Sequence, residues 1–166
     1  GRNADAPRTL TFMQRVLMVC LGNICRSPMA ETVLRSHALH VGLKVHVDSA
    51  GTSSAHEGED ADERALRVLR AAGYELQHQA RQIQPDWLPE RDLVLVMDKS
   101  NLRAVRALAD RAGVSHSHVR LLREFDPIAV PAGDTEVVEA LSIRVVSGSE
   151  LVKSTSDFVR RRTKII

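Results

Sequence analysis

The sequence predicts an α/β domain in which a four-stranded parallel sheet is doubly wound, with helices on both faces. Two observations lead to this fold class. Apolar stretches at 15–21 (RVLMVCL) and 92–98 (DLVLVMD) are typical of strands buried on both faces of a parallel sheet. Segments with helical spacing of apolar residues alternate with the strands, which implies right-handed crossovers. At 166 residues the chain is expected to form one domain.

The first strand leads through a glycine-containing turn into the first helix. Pro28 suits the first position of a helix, and Ser27 is expected to be its N-cap. Apolar residues then follow helical spacing until Gly42, which is typical of a helix C-terminus. Residues 44–48 (KVHVD) alternate between polar and apolar, as in a half-buried strand.

The same order of strand and helix repeats along the chain. A polar loop at 51–60 precedes a helix closed by Gly73, and an irregular stretch leads to the second fully apolar strand. A further helix ends at Gly113, and residues 119–122 form the fourth expected strand. The doubly wound core is therefore expected over about residues 14–130.

Composition excludes several classes of function. The formal net charge of +2 is too small to indicate a nucleic-acid partner. No apolar stretch approaches the roughly 18 residues that a membrane span requires, so no membrane partner is expected. Residues 1–13 lack the apolar block of a signal peptide and are expected to be a disordered tail. Two cysteines make no disulfide framework, and a cytoplasmic location is expected.

Polar residues cluster where the predicted strands end. Ligands of doubly wound sheets bind beyond the carboxyl ends of the strands, where the strand order reverses. Cys20 and its turn leave the first strand, and Ser49 and Gly51 leave the second. Asp98 leaves the third strand, so we expect all of these residues to share one rim of the sheet.

The turn 20–26 (CLGNICR) has the features of an anion-binding loop. It lies between a buried strand and a helix N-terminus, and such a turn points successive backbone N–H groups inward. Gly22 permits the backbone dihedral angles that this turn needs, and Asn23 tolerates left-handed geometry. Arg26 adds a guanidinium fork for two phosphoryl oxygens.

Cys20 lies at the mouth of this loop. The helix N-terminus, the loop amides and Arg26 favour its thiolate, which is the nucleophilic form. The Ser27 hydroxyl is close enough in sequence to donate to the sulfur. These residues predict covalent phosphoryl transfer by thiolate attack on phosphorus, with no metal and no cofactor. Cys25 is either a small buried apolar residue or a disulfide partner that protects an oxidised Cys20.

The stretch VCLGNICRSPMAE at 19–31 closely resembles the phosphate-binding loop of the low molecular weight protein tyrosine phosphatases. Further matches to this family follow in order: DSAGT at 48–52, HQARQ at 78–82, LVMDKSNLRAV at 95–105 and VRLLREFDP at 119–127. The resemblance implies the family's four-stranded, Rossmann-like fold of the phosphotyrosine phosphatase I type. It also implies that residues 14–166 form a single phosphatase-like domain.

The resemblance implies roles for individual residues. Cys20 would be the nucleophile and Arg26 the transition-state clamp, while Ser27 would assist the thiolate. The phosphate-binding residues would be Leu21, Gly22, Asn23, Ile24, Cys25 and Arg26. The residues that brace the loop would be Asn23, Ser49, His78 and Asp98. A plain surface histidine is the alternative at position 78.

The resemblance implies a protein tyrosine phosphatase, a phosphoric monoester hydrolase with a cysteinyl-phosphate intermediate. Its partner would be a phosphotyrosine-containing protein or a small aryl phosphate, with phosphate and vanadate as inhibitors. Arsenate reductases on this fold need downstream cysteines, and none follows Cys25. Arginine phosphatases of the family carry threonine where Ile24 stands, and the apolar Ile24 favours an aromatic phosphoester.

The chain departs from the family pattern in two places. Ala55 stands about where the family usually carries an aromatic residue that sandwiches the substrate ring. The family's Asp-Pro-Tyr general-acid motif is missing, and the resemblance fades abruptly after Val137, as in a replaced or out-of-frame C-terminus. The C-terminal part, about 131–166, is therefore treated as divergent.

The missing motif leaves the general acid open. Asp126, Asp134 and Glu139 are the candidates, and a chain without a functional acid is the remaining alternative. Without an acid, the same loop would make a catalytically impaired module that binds phosphate or phosphotyrosine. A thiol redox protein that uses Cys20 and Cys25 is the third reading.

Overall fold

Four parallel strands form the sheet, as the apolar stretches of the sequence predict. The computed structural model describes residues 13–125, 131, 133 and 135–137. The expected N-terminal tail lies outside these residues except for Met13. The strands are β1 (Gln14–Cys20), β2 (Val45–Gly51), β3 (Leu93–Val96) and β4 (Val119–Leu121). Their order across the sheet is β2–β1–β3–β4, and every pair is parallel.

Helices cover both faces of the sheet, which confirms the predicted fold class. They are α1 (Arg26–His40), α2 (Glu63–Ala71) and α3 (Lys99–Ala112), with 3₁₀ turns at Pro85–Glu90 and Leu122–Phe125. α1 packs on β1, β2 and α2, whereas α3 packs on β3, β4 and the first 3₁₀ turn. None of the described helices is long and apolar enough to cross a membrane.

Successive residues of β1 enter two separate cores. Met18 packs in the core that contains Leu69 of α2, and Leu17 packs in the core that contains Val105 of α3. Both side chains are fully buried. Because both faces of the strand are covered, its last five residues, 16–20, are all apolar and buried and do not alternate with polar residues.

β2 is longer than the sequence predicts. Ser49 and Gly51 were expected after the strand, but they belong to it because they pair with Met18 and Cys20 of β1. Gly51 approaches the neighbouring chain closely, since a Cβ at this position would lie 2.6 Å from the carbonyl oxygen of Leu21. A glycine is therefore needed where β2 meets the turn after β1.

α1 begins two residues earlier than predicted. Its first residue is Arg26 and its N-cap is Cys25, so the expectation that Ser27 is the cap is wrong. Ser27 is fully buried inside the first turn of the helix, where its hydroxyl contacts Cys20. A hydroxyl in that contact is no longer a capping group.

The strand order fixes the place where a ligand can bind. The chain leaves β1 for the α1 face and leaves β3 for the α3 face, although β1 and β3 are neighbours. The crevice beyond their carboxyl ends is the point at which the strand order reverses. Cys20 ends β1, and Asp98 follows β3 by two residues.

Candidate active site

The turn 20–26 curls between the end of β1 and the first residues of α1. Asn23 has a φ of 56°, the one left-handed backbone conformation among the non-glycine residues that the structure describes. Asparagine tolerates this conformation better than most residues. The end of β2 holds the turn through its backbone, since the N–H groups of Thr52 and Ser53 donate to the carbonyl oxygens of Cys20 and Leu21 at 2.9 Å each.

Asn23 is the centre of the hydrogen bonds below the loop. Its Nδ2 donates to Ser27 Oγ and to Ser49 Oγ, both at 2.9 Å. Its Oδ1 accepts from the backbone N–H of Arg81 at 3.0 Å, and its carbonyl oxygen accepts from His78 Nε2 at 2.5 Å. The side chain is fully buried, and these contacts join the loop to β2 and to the segment after α2.

Cys20 and Ser27 are in direct contact. Cys20 Sγ lies 3.0 Å from Ser27 Oγ, and both side chains are buried. Ser27 Oγ already accepts from Asn23, so its own hydrogen can point to the sulfur or to the carbonyl oxygen of Ala50, at 3.4 Å. The sulfur is the nearer acceptor, and a hydroxyl that donates to sulfur stabilises a thiolate.

Arg26 is held from two sides. Its Nη1 donates to Asp98 Oδ2 at 2.7 Å and to the carbonyl oxygen of Val137 at 2.9 Å. Asp98 is also the N-cap of α3, where its Oδ1 accepts from the N–H of Asn101 at 2.7 Å. The Arg26 side chain is about one-tenth exposed, so its position is set by these contacts more than by solvent.

A cavity of about 230 Å³ opens above the turn. Its lining residues are Cys20, Leu21, Gly22, Ile24, Cys25, Arg26, Ser53, Ala55 and His56. A sulfur atom, a guanidinium and a helix N-terminus therefore meet at one concave site. Such a site attracts an oxyanion and can place it against the sulfur.

Comparison with known proteins identifies the family. The family model described as low molecular weight phosphotyrosine protein phosphatase matches residues 15–141. The chain belongs to this family. A low molecular weight protein-tyrosine-phosphatase of Streptomyces coelicolor is 51% identical over 125 residues, which are 74% of this chain and 75% of that protein.

A second relative and a solved structure are also similar to this chain. The low molecular weight protein-tyrosine phosphatase A of Mycobacterium bovis is 47% identical over 114 residues, which are 68% of this chain and 67% of that protein. The crystal structure of a protein tyrosine phosphatase from Entamoeba histolytica, with Hepes in its active site, superposes with a TM-score of 0.79. It is 28% identical and covers 91% of this chain and 97% of that one.

Of the phosphate-binding residues predicted from the family resemblance, five line the cavity and one does not. The exception is Asn23, whose side chain lies beneath the loop. Of the predicted bracing residues, Ser49 and His78 contact Asn23, whereas Asp98 contacts the Arg26 guanidinium. Asp98 therefore holds the Arg26 side chain, whereas Ser49 and His78 hold Asn23 of the loop.

Sequence reasoning missed Ser53, His56 and Arg81. His56 lines the cavity, and a Cβ on Gly22 would lie 2.9 Å from its ring, so the ring packs against the loop. Its Nδ1 donates to Glu59 Oε2 at 2.8 Å. Ser53 and His56 could have been predicted from their position, because they follow a strand that ends at the predicted rim of the sheet.

The candidate general acids Asp126, Asp134 and Glu139 lie outside the described residues. Glu136 and Val137, which come just before the last of them, are described. Among the described residues no group of three or more His, Cys, Asp or Glu side chains could hold a metal ion.

Proposed function

We propose that this protein hydrolyses phosphotyrosine and related aryl phosphate esters through a cysteinyl-phosphate intermediate. The contact between Cys20 Sγ and Ser27 Oγ at the base of an arginine-lined cavity carries this proposal. In the first step the Cys20 thiolate attacks phosphorus, the bond from phosphorus to the aryl oxygen breaks, and the aryl oxide leaves and takes a proton from solvent or from a general acid of the chain. Water then attacks the phosphorus, which releases inorganic phosphate and the thiolate.

Arg26 and the loop amides would stabilise the transition state. Both hydrogens on Arg26 Nη1 have protein acceptors, so Nε and Nη2 are the donors for the equatorial phosphoryl oxygens. The backbone N–H groups of residues 21–26 supply further donors. Ser27 would donate a hydrogen bond to the sulfur and so lower the free energy of the thiolate, both as the nucleophile and as the leaving group.

Phosphotyrosine is the substrate that fits the cavity best. Leu21, Ile24 and Ala55 are apolar residues among those that line it, and they would contact an aromatic ring. Inorganic phosphate and vanadate would occupy the same loop and inhibit. A thiol nucleophile needs reducing conditions, which supports a cytoplasmic location.

A Cys20→Ser variant tests the proposal. We expect it to lose hydrolysis of p-nitrophenyl phosphate to below about one-thousandth of the wild-type rate, while inorganic phosphate still raises its melting temperature. Hydrolysis by the variant at the wild-type rate would refute the mechanism. Phosphate binding by a wild type that turns nothing over would instead favour a binding module.

A further inference from the structure

Residues 135–137 lie beside the end of β3 and the start of α3, and hydrogen bonds to Met97, Lys99 and Arg123 hold them. The N–H of Val137 donates to the carbonyl oxygen of Met97 at 2.6 Å. Glu136 Oε1 accepts from the N–H of Lys99, the first residue of α3, at 2.8 Å. The carbonyl oxygen of Glu136 accepts from Arg123 Nη1 at 3.1 Å. The Val137 side chain is 2% exposed and packs in the α1–α2 core.

This segment presents an acceptor to Arg26. The carbonyl oxygen of Val137 lies 2.9 Å from Arg26 Nη1, the same nitrogen that donates to Asp98 at 2.7 Å. One Nη nitrogen has two hydrogens, so the two acceptors fix both of its bonds and with them the plane of the guanidinium. Nε and Nη2 lie in the same plane, so their positions are fixed with it, and Arg26 lines the cavity.

Glu136 ties these two acceptors to each other. Its carboxylate accepts from the N-terminus of α3, where the helix dipole favours a negative charge. The N-cap of that helix is Asp98, the other acceptor of Arg26. The Lys99 N–H that donates to Glu136 belongs to the residue directly after Asp98, and the Met97 carbonyl that accepts from Val137 belongs to the residue directly before it. The carboxylate is therefore the side-chain part of a two-point attachment that holds Val137 relative to Asp98.

We propose that Glu136 is a positioning residue that orients Arg26 for the transition state, an inference that rests on the proposed function. Without its carboxylate, residues 135–137 keep their backbone contacts but lose their side-chain link to α3. The Val137 carbonyl then shifts relative to Asp98, and the guanidinium plane turns with it. Because a misplaced clamp weakens transition-state binding more than ground-state binding, kcat falls and KM changes little.

Two variants of Glu136 separate its acceptor role from its charge. We expect Glu136→Ala to lower kcat for p-nitrophenyl phosphate by about tenfold, with KM within about twofold of wild type. Glu136→Gln keeps an acceptor oxygen for the Lys99 N–H and is expected to restore most of kcat. A Glu136→Ala enzyme with wild-type kcat, or a Gln variant as impaired as the Ala variant, overturns the inference.

A third variant removes the partner and leaves Glu136 intact. Lys99→Pro deletes the N–H that Glu136 accepts, at the first helical position, where proline is tolerated. The preceding Asp98 is extended, with φ −144° and ψ 171°, as a residue before proline must be. We expect Lys99→Pro to reproduce the kcat loss of Glu136→Ala, and the double variant to lose no more than either one. Additive losses would contradict a shared hydrogen bond.

The matched control is Lys99→Ala, which removes the exposed lysine side chain and keeps the N–H. It should retain kcat within about twofold of wild type, and a loss as large as that of Lys99→Pro would assign the effect to the lysine side chain. A wild type without turnover would speak against the proposed function alone. In that case the affinity for vanadate tests the inference, because bound vanadate can take the five-coordinate geometry of the transition state, and Glu136→Ala must then bind it several-fold more weakly than Glu136→Gln.

Discussion

Asp98 connects the N-terminus of α3 to the guanidinium of Arg26. Its Oδ2 lies 2.7 Å from Arg26 Nη1, and its Oδ1 lies 2.7 Å from the N–H of Asn101. The Asp98 carboxylate thus caps α3 and also orients the Arg26 side chain, which follows β1. Loss of either hydrogen bond is therefore expected to weaken the other.

Asp98→Asn separates these two contacts. Asparagine is as good an N-cap as aspartate, but it has an NH2 donor in place of the second carboxylate oxygen, so it cannot accept from Arg26 while its oxygen accepts from Asn101. A hydrogen bond to a charged group contributes about 1.5–3 kcal/mol, so we expect kcat to fall about 10- to 100-fold. The unfolding free energy should change by less than about 1 kcal/mol. Steady-state kinetics and urea unfolding measure the two effects, and a variant with normal kcat would contradict this role of Asp98.

Asn23→Ala and Asn23→Gly distinguish hydrogen bonding from backbone strain. Both variants lose the hydrogen bonds of the side chain, while only alanine is strained at a φ of 56°. We expect both to lose phosphate binding, and Asn23→Ala to unfold with about 1 kcal/mol less free energy than Asn23→Gly. Equal stability of the two variants would show that the left-handed conformation costs nothing here.

Asp62 gives the protein a pH-dependent contribution to stability. The hydrogen bond from the Arg64 side chain, above all, lowers the pKa of Asp62 below its ordinary value, and Asp62 is the N-cap of α2. A carboxyl with a lowered folded-state pKa stabilises the fold above its unfolded-state pKa, and this contribution is lost as the pH falls through the folded-state value. We expect Asp62→Ala to destabilise by about 1 kcal/mol at pH 7.

The difference between wild type and Asp62→Ala should shrink below about pH 4. Urea unfolding of both proteins between pH 7 and pH 3 measures it. Asp62→Asn is the control, because it keeps a capping oxygen but has no carboxyl to titrate. A difference that stays constant with pH would contradict the assignment of the stabilisation to the charged carboxylate.

Alkylation tests the environment of Cys20. Cys20, Arg26 and the N-terminus of α1 line one cavity, so we expect the negatively charged iodoacetate to enter this site and modify Cys20, and inorganic phosphate to block the reaction. Peptide mass spectrometry separates modification of Cys20 from modification of Cys25, which lines the same cavity. If phosphate does not change the rate of alkylation of Cys20, the result would argue against an organised anion site.

Leaving-group dependence tests proton donation. Since no Asp-Pro-Tyr motif follows Val137, we predict that donation to the leaving group is impaired. A positioned acid contributes about 10²–10⁴-fold, mostly for poor leaving groups. The first step should therefore be much slower for phosphotyrosine than for p-nitrophenyl phosphate. Similar first-step rates for both would refute the impairment, and alanine variants of Asp126, Asp134 and Glu139 would then identify the donor.

The fold and the loop were readable from the sequence because both depend on local patterns. Strands buried on two faces must be apolar throughout, and a turn between such a strand and a helix places its amides inward whatever the rest of the chain does. The predicted strand ends were less accurate. β2 runs on to Gly51 because β1 offers pairing partners as far as Cys20, and such pairing is a property of two strands together.

The sequence by itself determined the sheet, its two helical layers, the anion-binding turn and the membership of a family. Only the tertiary structure decided what surrounds that turn. Arg26 meets Asp98 and Val137, which are 72 and 111 residues away in the chain, and His56 enters the cavity from the loop after β2. No periodicity or spacing encodes such contacts, because they arise when separate strands end at one edge of the sheet and later segments pack against it.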